Sequence, residues 1–393
     1  MKESGGENWH GHAIAWMLAL APVLLILATY TDSPSIFQGA LKSYAVPMLV
    51  AEIMVIVVVL IERVPIGWPP RTIGLCLAVF LLHAWIAAIR ADDREISIVF
   101  TLILTAHIAF GIAVFALTRA DMLNQRTLLN PLLAGFAMFA SAFLLFVALH
   151  DALDHNWVNG IPAFNNIRWF GYYIAATIGL CAAGWMYGRR MHFVLAAAAL
   201  AIALWTGSRG TFAAICGGYV LTAAIFPFMR RGWHRFVLLI FLGVALAVIL
   251  DFGWPLEGQG PGRLIGDSGS SGRLEIWGQT LHAISAHPWM GYGEAQFSRL
   301  INGNFAQPHN SVLQSLLAWG VVGAVLIAIL VAWLANRIRI NMSEAEAPFL
   351  FAAANLMVFS LIDGSLFHVM STALFALFIG VLSAASHGAV APS

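Results

Sequence analysis

Gln307-Pro308-His309-Asn310-Ser311 leads directly into a long apolar run that carries Gly320 and Gly323. A neutral imidazole is the side chain best matched to taking a proton near pH 7. The N-terminal end of a helix disfavours imidazolium, so His309 is expected to stay neutral there. Asn310 or Ser311 can cap the helix and leave the ring free. If the helix includes the histidine, a turn of about 100° per residue puts Gly320 within roughly 20° of His309 and Gly323 within about 40° on the other side. That face then lacks side chains three turns below the histidine, and another helix or a lipid chain can approach closely. The plainer alternative is a capped membrane helix with a small-residue packing face.

Three arginines stand in similar settings. Arg168 lies in Asn165-Asn166-Ile167-Arg168-Trp169-Phe170, at the start of an apolar run. Arg209 lies in the turn Thr206-Gly207-Ser208-Arg209-Gly210, and Arg273 follows Ser271-Gly272. A guanidinium stays charged and grips phosphate through a planar fork, so several around one pocket suit a pyrophosphate-linked lipid. Each has a structural alternative: snorkelling, or a salt bridge to Asp154, Asp267 or Glu275. The turn at Arg209 can also serve simply to fix a short hairpin. His150 and His155 flank Asp151 and Asp154, which reads as solvated loop surface. No HxxxH or CxxC spacing occurs, so neither a metal site nor a cofactor is expected. Cys76, Cys181 and Cys216 all sit in apolar runs and read as small buried residues. P-loop, G-x-S-x-G and dinucleotide fingerprints find no suitable strand.

The elements that position these residues must be membrane helices. The chain is 60% hydrophobic and 10% charged over 393 residues, a composition that excludes a soluble domain. Twelve spans are predicted: 13–30, 44–61, 72–89, 97–117, 131–149, 167–187, 192–206, 211–228, 235–252, 310–336, 347–362 and 366–386. They form one integral membrane domain over 1–393, all-α, with one long loop at about 253–309 that turns helix-like from Arg273 to Ala286. The first run, from about Ala13, lacks a convincing cleavage site for a signal peptide.

One set of short loops holds Arg63, Arg71, Arg119, Arg126, Arg189, Arg190, Arg230, Arg231, Arg235, Arg337 and Arg339, on the side of Lys2. The positive-inside rule makes that side cytoplasmic, with both termini inside and the long loop outside. Arg168, Arg209, Arg273 and His309 then share the outer interface. Glu52 is the one ionisable residue clearly inside a span, and no internal repeat is apparent, which speaks against a transporter. No nucleic-acid partner is expected.

Taken together, these residues resemble the O-antigen ligase and O-antigen polymerase superfamily of bacterial envelopes. The resemblance rests on Thr206-Gly207-Ser208-Arg209-Gly210, on Ser271-Gly272-Arg273 followed by Trp277, on His287-Pro288 with Gly291-Tyr292-Gly293, and above all on His309-Asn310 with Gly320 and Gly323. It covers about 165–325. Membership implies a C-type glycosyltransferase of the inner membrane with its site facing the periplasm. The donor would be a glycan on undecaprenyl pyrophosphate, and the acceptor lipid A–core for a ligase or another lipid-linked glycan for a polymerase. It also implies a metal-independent, inverting reaction with His309 as base. Arg168 and Arg273 would assist it, and Arg168, Arg209, Arg273 and Asn310 would bind substrate. The ligase form is favoured; a repeat-unit polymerase and, less so, a lipid-linked glycan flippase are the alternatives.

Overall fold

The computed structural model describes residues 9–30, 36–67, 70–150, 155–256, 259–264, 272–301 and 307–388. Asp151, Asp154, Asp267, Ser271 and the 268–270 loop tip lie outside them. The described residues form helices and short 3₁₀ turns, with no strand: α1 (Trp9–Leu27), α2 (Ile36–Ser43), α3 (Val46–Ile61), α4 (Arg71–Arg90), α5 (Arg94–Arg119), α6 (Gln125–Leu149), α7 (Ile167–Leu180), α8 (Ala183–Tyr187), α9 (Arg190–Trp205), α10 (Arg209–Ile225), α11 (Trp233–Gly253), α12 (Arg273–Ala286), α13 (Phe297–Leu300), α14 (Ser311–Asn341), α15 (Ala347–Asp363) and α16 (Val369–Gly388). All twelve predicted positions hold helix.

Eight helical segments among the described residues are long and apolar enough to cross a membrane; α3, α9 and α10 are apolar but shorter. The sixth predicted span, 167–187, is two pieces, α7 and α8, separated at Cys181. The chain is therefore an all-α polytopic membrane protein. Its outer surface fits that solvent: Leu60, Phe241, Ile249 and Phe252 are exposed, an arrangement that lipid favours and water does not.

α7 lies at the centre, buried without interruption from Phe170 to Leu180. Glycines let its neighbours approach. A Cβ at Gly179 would collide with the backbone of Ala352 on α15, and one at Gly218 on α10 would overlap Asn355. Asn355 Nδ2 donates to the Ala175 carbonyl at 2.9 Å, tying α15 to α7. Membrane helices associate through such close packing, because burial of apolar surface alone gives no advantage over lipid.

The helix ends sort the charged loops. Tyr187 Oη donates to the Glu344 carbonyl at 3.2 Å, Arg231 pairs with the Glu344 carboxylate, and Arg235 Nη1 reaches the Trp185 carbonyl at 3.4 Å. The arginine-rich loops after α8 and α10 thus meet at one end. The starts of α7, α10, α12 and α14 gather at the other. Glu52, alone inside α3 by sequence, bonds His107 of α5 at 2.8 Å. A buried acid answered by one imidazole reads as an interhelical tie.

The largest departure from sequence expectation is α14. Its N-cap is Asn310, so His309 precedes the helix and has φ 55. Ten residues in, Gly320 takes φ 60 and ψ −168, and the helix breaks there. The segment 288–293 of the long loop plugs the break. Tyr292 N donates to Leu317 O at 2.9 Å and Gly293 N to Ala318 O at 2.8 Å, while Val321 N donates to Pro288 O at 2.7 Å. The helical-wheel relation between His309 and Gly320 therefore fails, because one residue is outside the helix and the other ends its first half. What approaches Gly320 is the Trp289–Met290 backbone, neither a helix nor a lipid chain. Gly323 faces Trp319 and His83.

Gly320 occupies a backbone region that is almost exclusive to glycine, and a Cβ would overlap the Trp289 backbone. Gly320→Ala is expected to cost about 2–5 kcal/mol, from backbone strain and overpacking together. Thermal unfolding of the purified protein in detergent measures this. An unchanged midpoint would mean that the break heals into continuous helix and that the loop is not docked as described.

Candidate active site

The site begins with four helix starts and one helix end. Asn166 Oδ1 accepts from the Arg168 amide at 2.9 Å and caps α7, which fixes Arg168 in the first turn. Behind it, an aromatic cluster holds the α7 entry, with Phe143 and Phe170 stacked at 5.3 Å and Phe164 edge-on to Phe170 at 5.9 Å. Ser208 and Thr211 share a hydrogen bond of 2.8 Å, and Thr211 Oγ1 donates to the Gly171 carbonyl at 3.1 Å. The Gly-Ser-Arg-Gly turn therefore locks the start of α10 onto α7, and it also places Arg209, the first residue of α10, on the cavity wall. Arg273 opens α12, and Trp277 Nε1 donates to the Pro308 carbonyl at 2.9 Å, bracing the residue before His309.

These starts surround one cavity of about 630 Å³ whose walls include Arg168, Arg209, Arg273, Glu294, His309, Asp363 and His368. The structure thus brings together three of the arginines and the histidine singled out from sequence. Helix N-termini carry partial positive charge and free amide donors. Four of them beside three guanidinium groups make a strongly anion-attracting site. The Nε of Arg273 is buried and has no hydrogen-bond partner. Glu275, offered above as its possible partner, accepts from Gln279 Nε2 at 3.3 Å.

Asn310 stands apart. Its Oδ1 caps α14 by accepting from Val312 N at 2.9 Å and Leu313 N at 3.1 Å, and its Nδ2 donates to the Leu361 carbonyl at 2.9 Å. Both ends of the amide are engaged in structure. His150 stacks on Phe146 at 3.9 Å and His155 bonds the Gly160 carbonyl at 2.8 Å, so both rings serve their own loop.

His309 is buried, and its left-handed φ is uncommon for a residue with a side chain. Its ring is engaged, contrary to the sequence expectation. Arg168 Nη1 lies 2.9 Å from Nε2, and Asp363 Oδ1 lies 2.8 Å from Nδ1. A guanidinium only donates, so Nε2 accepts and the neutral ring carries its proton on Nδ1, facing the carboxylate. The Asp363 contact has ion-pair distance but not hydrogen-bond direction, since Oδ1 has no hydrogen-bond partner. Arg168 Nε is also 3.6 Å from Asp363 Oδ2, closing a triangle.

Asp363 is the functional candidate that sequence reasoning missed, having treated it as part of a short break between two spans. It ends α15, where the helix dipole disfavours a carboxylate, and Arg168 of α7 and His309 at the α14 entry compensate. Tyr172 Oη donates to the Asp363 carbonyl at 2.7 Å and holds that end in place. One signal was available: an aspartate followed by Gly364 and Ser365, at a helix terminus inside a membrane chain.

Comparison with known proteins gives two matches. Residues 193–328 match the family described as O-antigen ligase. A curated O-antigen ligase of Pseudomonas aeruginosa is 29% identical over 263 residues, 60% of this chain and 63% of the relative. The chain thus spans less than two thirds of the length of the relative that it matches. The matched family segment contains Arg209, Arg273 and His309, whereas Arg168 and Asp363 lie outside it and join the site through the fold.

Proposed function

From a chain whose residues 193–328 match the family described as O-antigen ligase, we propose a glycosyltransferase of the bacterial inner membrane. It moves a glycan from undecaprenyl pyrophosphate to lipid A–core at the periplasmic face. The observation that carries this reading is the convergence of Arg168, Arg209 and Arg273 with His309 on one cavity.

The arginines and helix starts hold the pyrophosphate and stabilise the charge that grows as it leaves. His309 Nε2 removes the proton of an acceptor hydroxyl while that oxygen attacks the anomeric carbon. The new glycosidic C–O bond forms, the bond to the pyrophosphate oxygen breaks, and the proton passes from the histidine to solvent. Asp363 is a positioning residue: it faces Nδ1, fixes the tautomer and favours the imidazolium that forms. Arg168 Nη1 covers Nε2 at 2.9 Å. Phosphate oxygens compete for its donors, so donor binding draws Arg168 away and frees the base. A single displacement inverts the anomeric carbon.

The defining experiment is the surface glycolipid profile of a strain lacking the protein. Loss of capped lipid A–core with lipid-linked polymer accumulating is the expected result. Single-repeat species would assign a polymerase instead, and an unchanged profile would remove the enzyme from this pathway.

Orientation has its own test. The arginine bias makes the loop around Ser343 cytoplasmic and the one around Ser270 periplasmic. With the native cysteines replaced, Ser270→Cys should react with an impermeant thiol reagent in spheroplasts and Ser343→Cys should not. The reverse pattern would turn the site toward the cytoplasm.

A further inference from the structure

One wall of the cavity has no use in pyrophosphate chemistry. Glu294 and His368 line it, and both also line a smaller second cavity that reaches His107. They therefore stand where the two spaces adjoin. Glu294 is 5% exposed and His368 7%. Neither ring nitrogen of His368 has a hydrogen-bond partner, a costly state for a buried imidazole unless a ligand or water answers it. The ring lies against Trp169, with centroids 4.4 Å apart.

The mount of Glu294 is rigid. Gln296 accepts from the Asp93 amide at 2.9 Å and donates to the Asp93 carbonyl at 3.0 Å, pinning the segment to the start of α5. Gly293 packs so closely on the junction of α4 and α5 that a Cβ would press on Ala91 and Ser97. Burial pushes the Glu294 carboxyl up to about 8, so near neutral pH it is an uncharged acid with one donor and free acceptor capacity. Such a group neither repels a pyrophosphate nor grips it as an arginine does. A neutral acid, an imidazole with both nitrogens open and an indole beside them match a polyol: hydroxyls for the polar groups, and the C–H face of a sugar for the ring.

We propose that Glu294 and His368, backed by Trp169, form a sugar-hydroxyl subsite that seats the acceptor glycan. The inference rests on the glycosyl-transfer reading of the same cavity. The acceptor is assigned rather than the donor sugar because His368 lines the same cavity as His309, one short turn, Ser365–Phe367, after the Asp363 that touches the base. The base takes its proton from the acceptor.

The test uses purified full-length protein in detergent and three probes: lipid A–core glycolipid, undecaprenyl pyrophosphate without sugar, and the same lipid carrying its glycan. Glu294→Ala and His368→Ala are each expected to weaken glycolipid binding about 5–10-fold, the loss of one or two hydrogen bonds. Glu294→Gln, the isostere of the neutral acid, should remain within about threefold of wild type on the same scale. Binding of undecaprenyl pyrophosphate should stay within about twofold in all three, which also shows that the variants are folded. Unchanged glycolipid affinity in both alanine variants overturns the subsite. So does a parallel loss of all probes, or a loss confined to the glycan-bearing donor. Wild-type protein that binds glycolipid with this dependence but transfers nothing to it would sink the transferase reading and leave the subsite standing. Normal transfer with unaffected variants would do the reverse.

Discussion

His309→Ala is expected to lower glycan transfer about 10²–10⁴-fold, the usual contribution of a general base, while leaving undecaprenyl pyrophosphate binding nearly intact. The structure sharpens the expectation in two ways. His309 sits outside α14, so removing its ring does not remove a helix cap; Asn310 provides that. Asp363 faces Nδ1 at 2.8 Å, so Asp363→Asn should reproduce part of the defect by orienting the ring wrongly. The measurement is single-turnover transfer by purified protein from a lipid pyrophosphate-linked glycan, with EDTA present. Near-normal turnover in His309→Ala would make the histidine structural. Activity lost to EDTA and restored by a divalent ion would assign the chemistry to a metal.

Arg168 and Arg273 should behave differently from the histidine. Each would hold negative charge before and during bond breaking, so Arg→Ala should weaken donor binding and turnover together. A charge-assisted contact in a partly dry site is worth about 1.5–3 kcal/mol, which is roughly 10–150-fold in kcat/KM for each arginine. Lysine should rescue poorly at both positions, because an ammonium cannot supply the planar fork. At Arg168 the fork also spans two partners, His309 and Asp363, and a point charge reaches one at a time. Full recovery in Arg168→Lys would reduce that side chain to a diffuse counter-charge and undo its role in covering Nε2.

How far the sequence foretold this can be judged residue by residue. Spans were legible because bilayer thickness imposes a length on apolar runs; Arg168, Arg209 and His309 were legible because each stands at the start of such a run, and Arg273 because it opens the helix-like part of the long loop. Those four do line one cavity. Asp363 was not legible, since its meaning depends on the end of α15 returning beside segments 195 and 54 residues earlier, counted from Arg168 and His309 (363 − 168 and 363 − 309). Glu294 and His368 escaped notice for the same reason, being ordinary loop and helix-entry residues until the fold walls them in. The break at Gly320 was hidden more deeply. Apolar residues flank it on both sides, and hydrophobic periodicity carries no trace of a loop thirty residues upstream that supplies the missing hydrogen bonds.

That plugged break has a bearing on exchange between relatives. Carbonyls of Leu317 and Ala318 accept from the Tyr292 and Gly293 amides of the 288–293 segment where the helix breaks. Loop and helix are thus complementary halves of one unit. A chimera that imports a foreign loop onto this α14, or the reverse, would strand buried backbone groups inside the protein even if every arginine and histidine were retained. The part of acceptor preference set by Glu294 should therefore travel between homologues only when both segments are moved together.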